Sequence, residues 1–241
     1  MTSEHVPVVL VTGANRGIGL ELVRQYARDG WQVVATCRDP DDAGELQALR
    51  DEHGTVTVEQ LDLADHTAID ALADRLRDQP IDLLMNNAGT MGPLPLEEHI
   101  HRQRFGRLDY DLWAELFWIN TIGTVRMCEA FVEHVAASSQ RKIVALSSTA
   151  GSIGESDRMA MAYTTSKAAL NKAMTNVARS VAPRDIVVGI ICPGHVKTRL
   201  GIGGASLEIE DSVAGLRQVV DSLTMAESGT FLRYNGESIA W

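Results

Sequence analysis

The run Val8-Val9-Leu10-Val11-Thr12 passes directly into Gly13-Ala14-Asn15-Arg16-Gly17-Ile18-Gly19, and an apolar helical pattern follows. A β-branched run favours a strand, while Leu22, Val23 and Tyr26 recur at a spacing that turns one helix face toward a sheet. The segment is therefore a βα unit joined by glycines. Glycines let the turn close tightly and let backbone approach a ligand, and the amide N–H groups at a helix start attract a pyrophosphate. The spacing here, Gly-x-x-x-Gly-x-Gly, departs from the usual Gly-x-Gly-x-x-Gly dinucleotide fingerprint.

The same alternation recurs downstream. Trp31 to Thr36, Val56 to Leu61, Ile81 to Met85, Lys142 to Ser147 and Ile186 to Ile191 read as further strands, with helical patterns between most of them. Strands that are apolar along nearly their whole length belong to a parallel sheet covered by helices on both faces. The expectation is an α/β, doubly wound Rossmann-type fold with a mostly parallel, seven-stranded sheet. The 241 residues suit one large core, and no linker divides them, so 1–241 is read as a single domain. Residues 90–108 hold Pro93, Pro95, Gly106 and a group of histidines and arginines, and read as a surface excursion. Asp109 to Val135 reads as mainly helical. Residues 198–224, with Gly201-Ile202-Gly203-Gly204 and a helical Ser212 to Leu223 pattern, read as a cover over a substrate pocket, with a static loop as the equal alternative.

Charge narrows the partners. Lys plus Arg number 22 against 32 Asp plus Glu, a formal net charge of -10, which argues against a nucleic-acid groove or an anionic membrane while leaving room for a local basic pocket. Cys37, Cys128 and Cys192 lack metal-ligand spacing and read as reduced, buried thiols, and no cluster around His195 suggests a metal. The start, Met1-Thr2-Ser3-Glu4-His5-Val6-Pro7, shows no basic apolar leader, and no apolar run is long enough to span a bilayer, so a cytoplasmic protein is expected.

Ligand crevices of such sheets form beyond the C-terminal ends of the strands. After the second strand stand Thr36, Cys37 and Arg38, where a free ribose diol would be met by an acid. Arginines at 38 and 16 suit a 2'-phosphate instead, because guanidinium forks pair with phosphate oxygens. NADP(H) is the favoured cofactor and NAD(H) the alternative; the plain reading is two solvated arginines with Asp39 as a partner. Asp62 follows the third strand, in reach of an adenine edge, and Asn86-Asn87-Ala88-Gly89 follows the fourth; each also reads as an ordinary turn.

Tyr163-Thr164-Thr165-Ser166-Lys167 places a phenol and an ammonium four residues apart on one helix face, where the cation favours the phenolate and eases proton transfer. With this motif the chain resembles the short-chain dehydrogenase/reductase family over nearly its whole length. The matching stretches are Thr12 to Gly19, Asn86 to Gly89, Asn120, Ser147-Ser148, Tyr163 to Lys167 and Pro193-Gly194-His195-Val196-Lys197-Thr198, in the family's order. Thr36 to Pro40, Ser212 to Leu216 and the ending from Ser228 to Trp241 look like the small NADPH-dependent carbonyl reductases and the C-factor-like subgroup.

The resemblance implies reduction of an aldehyde or ketone to an alcohol. Tyr163 would be the general acid, Lys167 would hold the ribose and stabilise the phenolate, Ser148 would bond the substrate oxygen, and Asn120 would organise a proton route. Cofactor contacts are implied for Gly13, Asn15, Arg16, Gly17, Ile18, Gly19, Arg38, Asp62, Asn87, Ala88, Gly89, Pro193, Gly194, Val196 and Thr198, besides Tyr163 and Lys167. Either Ser147 or Ser148 fits the pocket on sequence, since fourteen residues separate Ser148 from Tyr163, slightly more than the family pattern. Arg199 stands where relatives often carry an acid. Met91, Leu94, Leu96, Met159, Met161 and Leu200 are candidate apolar contacts for the substrate. The alternatives are NAD(P)+-dependent oxidation of a secondary alcohol and a C-factor-like nucleotide-binding signalling protein. The resemblance also implies a homodimer or homotetramer formed through Asp109 to Val135 and Ala162 to Val181, with a monomer as the alternative.

Overall fold

The computed structural model describes residues 5–201 and 203–241; Met1 to Glu4 and Ile202, which belong to the expectations about the leader and the cover, lie outside the described residues. Seven strands run in sequence as β1 (Val8–Thr12), β2 (Gln32–Cys37), β3 (Val56–Gln60), β4 (Leu83–Asn86), β5 (Lys142–Leu146), β6 (Val187–Cys192) and β7 (Phe231–Arg233). Their spatial order is β3-β2-β1-β4-β5-β6-β7 and every pairing is parallel. The order reverses between β1 and β4, where Val9 to Val11 lie beside Leu83 to Met85. At such a reversal the connections leave to opposite faces and open a crevice above the strand ends.

Strand side chains alternate between two cores, and both must be covered because both are apolar. Val9, Val11, Leu83 and Met85 join one core with α1 (Gly17–Arg28), α2 (Gly44–Glu52) and α8 (Ile209–Ser222), which contribute Leu22, Leu46 and Leu216. Val8, Leu10, Leu84 and Ile143 join the other with α3 (His66–Arg75), α6 (Thr124–Ala136) and α7 (Met161–Val181), which contribute Leu72, Phe131 and Met174. Each such side chain, fully buried, contributes about 1.5–3 kcal/mol of hydrophobic stabilisation.

At the opposite end of the strands, Asp82 is fully buried. Its carboxylate accepts from the backbone N–H of Val8 at 2.9 Å and of Ser139 and Gln140 at 3.2 Å each, and it bonds the His5 ring at 2.9 Å. A buried carboxylate needs such donors to offset desolvation, and these tie the start of β1 to the turn before β5.

Two segments show what the amphipathic pattern leaves out. Within 90–108 lie the short helix α4 (Leu96–His99) and a 3-10 turn, Ile100–Gln103, and Met91, Leu96 and Gln103 are buried. The helical stretch after Asp109 consists of α5 (Tyr110–Phe117), a π-helical turn (Trp118–Gly123) and α6. A π turn inserts a residue into the helix and rotates the side chains beyond it, a feature common at functional sites.

Candidate active site

The site begins where β1 enters α1. Gly13 and Gly17 adopt left-handed backbone with φ of 66° and 54°, and a Cβ on Gly19 would lie 2.2 Å from the Gly13 carbonyl oxygen. The turn is closed only because no side chains are there. It is sewn to the end of β4: Thr12 Oγ1 accepts from the N–H of Asn87 at 3.1 Å and of Ala88 at 3.0 Å, and Asn87 Nδ2 donates to the carbonyls of Thr12 at 2.8 Å and Gly13 at 3.0 Å. The first turn of α1 has no side-chain cap and no acidic residue, so its amide N–H groups keep their positive end for an anion. Among the described residues, neither Arg16 nor Arg38 makes an ion pair, and the Asp39 carboxylate accepts from Asp42 N–H at 3.4 Å.

The second half of the site hangs on β5 and α7. Ser147 is buried and its hydroxyl bonds the side chain of Asn171, whereas Ser148 Oγ accepts from Ala150 N–H at 3.1 Å and stands by the Tyr163 phenol, whose ionised form it favours. The two serines, of which the resemblance favours Ser148, both line the cleft but take different partners. Lys167 Nζ donates to the Leu146 carbonyl at 2.9 Å. This approach of α7 to β5 requires Gly151, whose Cβ would stand 2.7 Å from the Lys167 carbonyl carbon.

Burial governs the titration of both groups, in opposite directions, because it disfavours each charged form. It pushes the Tyr163 phenol up to about 12, against which the Ser148 hydrogen bond and the Arg158 charge pull down. It pulls Lys167 down to about 8. At neutral pH the pair is a neutral phenol and an ammonium.

Turn and pair face one cleft of about 1080 Å³. Gly13, Asn15, Arg16, Gly17, Ile18, Gly19, Arg38, Asp62, Asn87, Ala88, Gly89, Ser148, Tyr163, Lys167, Pro193, Gly194, Val196 and Thr198 all line it. Asn120 does not: it is fully buried in the π turn, its Oδ1 accepting from Thr90 N–H at 2.8 Å and its Nδ2 donating to the Thr90 carbonyl at 2.9 Å and to Ser166 Oγ at 3.0 Å. Of the apolar candidates, Met91 and Leu200 line the cleft, Leu96 is buried, and Leu94 and Met159 are exposed. Among the described residues no cluster of His, Cys, Asp or Glu could hold a metal.

Gln103 escaped the sequence reading. Its Oε1 accepts from Tyr163 N–H at 3.0 Å and its Nε2 donates to the Met91 carbonyl, so it caps the first turn of α7 from another element. No local motif announces such a cap, because donor and acceptor lie 60 residues apart.

The family described as short chain dehydrogenase matches residues 7–203, and the chain belongs to that family. The C-signal of Myxococcus xanthus is 33% identical over 172 residues, which span 71% of this chain and 99% of that protein. Among solved structures, the NADPH-bound carbonyl reductase from chicken fatty liver superposes with a TM-score of 0.89 at 32% identity, over 98% of this chain and 100% of that one. The carbonyl reductase Sniffer of D. melanogaster superposes with a TM-score of 0.88 at 29% identity over the same shares.

The Gln103 contact carries an expected outcome. Gln103→Ala leaves a buried N–H beneath Tyr163 unpaired and should cost about 1–3 kcal/mol of stability. Urea denaturation of the variant measures this, and an unchanged midpoint would refute the cap.

Proposed function

We propose that the protein reduces an aldehyde or ketone to an alcohol with NADPH, Tyr163 donating the proton. One observation carries the reading: an uncapped helix start in a glycine turn, with two unpaired arginines, shares a single cleft with Ser148, Tyr163 and Lys167. The cleft suits this cofactor by its own chemistry. The open end of α1 complements a pyrophosphate, and Arg16 and Arg38 complement a further phosphate where an acid would have met a ribose diol. Gly13, Asn15, Gly17, Ile18 and Gly19 would hold the pyrophosphate and Asp62 the adenine edge. Asn87, Ala88, Gly89, Pro193, Gly194, Val196 and Thr198 would line the path toward the nicotinamide. NADPH, when bound, supplies the hydride for the carbonyl carbon. The similarity to an NADPH-bound carbonyl reductase supports the same cofactor and reaction.

The protein's own residues handle the oxygen. Ser148 Oγ accepts from Ala150, and its O–H, which stands by the Tyr163 phenol, would turn to donate to the substrate oxygen. The phenol of Tyr163 stays protonated at neutral pH, as a general acid must, and the alkoxide that develops in reduction is the group that takes its proton. Lys167 keeps an ammonium in the same cleft, where it offsets phenolate charge. Asn120 acts behind the surface: by binding both the Thr90 backbone and Ser166 it fixes the wall at Gly89 against α7. The reverse oxidation uses the same groups, by microscopic reversibility.

The substrate is a small molecule, and no helix among the described residues is long and apolar enough to cross a membrane. Three free, buried cysteines fit a reducing, cytoplasmic compartment. The exposed Tyr110, Trp118 and Ile122, on α5 and the π turn, support pairing of two or four copies through this helical face.

Tyr163→Phe tests the chemistry. Turnover should fall about 10²–10⁴-fold while NADPH still binds, as read by nicotinamide fluorescence. Full turnover would overturn the acid assignment; lost turnover with any biological signalling intact would favour the role suggested by the likeness to C-signal. Arg38→Ser tests the cofactor: NADPH affinity should drop about tenfold or more with little change for NADH, and equal changes would refute the phosphate contact. The pH dependence follows from Lys167. Since kcat/KM reports the free protein, reduction should slow as pH rises through about 8, where the ammonium is lost, long before Tyr163 ionises near about 12. A profile with no descending limb between those values would refute it.

A further inference from the structure

The cleft contains cations that the cofactor and the proton donor do not use. Arg24, Lys197 and Arg233 line it but are neutralised by Glu21, Glu208 and Glu155. Arg199 follows Thr198, whose Cγ2 lies 3.5 Å from where a Gly17 Cβ would stand, and so sits at the pyrophosphate end. Arg158 remains. It lines the cleft on the connection between Ser148 and Tyr163, and among the described residues it makes no ion pair, even with Glu115 and Glu210, which share the cleft wall. It stands five residues before Tyr163 on the connection from Ser148, and Ser148, Thr149 and Tyr163 line the same cleft, so the chain itself brings it toward the reacting end.

The connection that carries Arg158 is tethered, and the tether engages Glu155, three residues before it. Ser152 Oγ donates to the Ala240 carbonyl at 2.6 Å, and Gly154 N–H donates to the Trp241 carbonyl at 3.0 Å. Glu155 accepts from Ala240 N–H at 2.7 Å and from Arg233. With Glu155 engaged in this way, and no ion pair formed with the adjacent Asp157 among the described residues, the exposed Arg158 presents an unpaired guanidinium to the cleft that holds Ser148 and Tyr163. In a chain of net charge -10, whose general field repels anions, a local cation is what an anionic substrate requires.

On the reductase reading given above, we infer that Arg158 is a specificity-determining residue that pairs with a carboxylate on the substrate, so that the site prefers oxo-carboxylates over neutral aldehydes and ketones. A guanidinium fork matches a carboxylate in two parallel hydrogen bonds, and cover by bound substrate strengthens the pair. The contact leaves hydride and proton transfer unchanged and acts through binding.

The test compares 4-formylbenzoate with its methyl ester, which keep the same aldehyde and differ in charge. In the wild-type protein the acid should have the higher kcat/KM. Arg158→Met should lower the acid-to-ester ratio about tenfold, through KM for the acid, and Arg158→Lys should restore part of it. Arg199→Met should leave the ratio unchanged. An equal ratio in wild type and Arg158→Met overturns the inference, as does an equal fall with Arg199→Met, which would mark a general field effect. Calorimetric binding of 4-(hydroxymethyl)benzoate gives a second, turnover-free reading: binding weakened about tenfold in Arg158→Met supports the site, and binding absent from wild type or unchanged in the variant overturns it. If wild type binds this ligand yet reduces neither aldehyde, the reductase reading falls while the carboxylate contact stands.

Discussion

Four hydrogen bonds between the end of β1 and the end of β4 hold the cleft together. They lie at the reversal of strand order, just beyond the pairing of Val9 to Val11 with Leu83 to Met85. Thr12 and Asn87 supply the link with short side chains, and Gly13 lets the strands' exits touch, since a Cβ there would stand 2.9 Å from Ala88 Cα. Each such bond is worth only about 0.5–1.5 kcal/mol, but together they set where α1 begins relative to the residues after β4. Asp82 performs the matching task at the far end of the strands, so β1 and β4 are pinned at both ends and β5 at its start.

From this frame the proposed reacting groups inherit their electrostatics. Tyr163 and Lys167 sit on one helix that is pressed onto β5 by a glycine, and the resulting burial moves their ionisations apart. A phenol that resists ionisation costs nothing as a proton donor at rest. In the proposed reduction it would release its proton only when a neighbouring oxygen gains enough charge to take it, which would couple proton release to the arrival of negative charge on the substrate.

Much of this was legible in the residues alone. Six strands, the glycine turn and the Tyr163/Lys167 pair are local patterns, set by β-branched runs, glycine spacing and helical periodicity. The seventh strand is only three residues, Phe231–Arg233, too short for a pattern to stand out. That Ser147 and Ser148 take different partners depends on Asn171, and Gln103 acquires its purpose only where the chain brings it under α7. The π turn at Asn120 is likewise invisible to a 3.6-residue period. What could not be read was set by partners distant in sequence.

The ending of the chain also decides how this sheet meets its surroundings. Beyond β7 the backbone doubles back, so that Arg233 N–H donates to Glu237 at 2.7 Å and Ile239 N–H donates to Phe231 at 2.9 Å, with Leu232 opposite Ser238. A bare outer strand is a template for another strand, and here that template is already occupied. Two copies therefore cannot extend the sheet across β7 by backbone pairing, and any assembly on that flank must rest on side chains such as the exposed Trp241, which stacks on the buried Phe231. The same fold-back that tethers the connection between Ser148 and Tyr163 thus shields the β7 edge from edge-to-edge pairing.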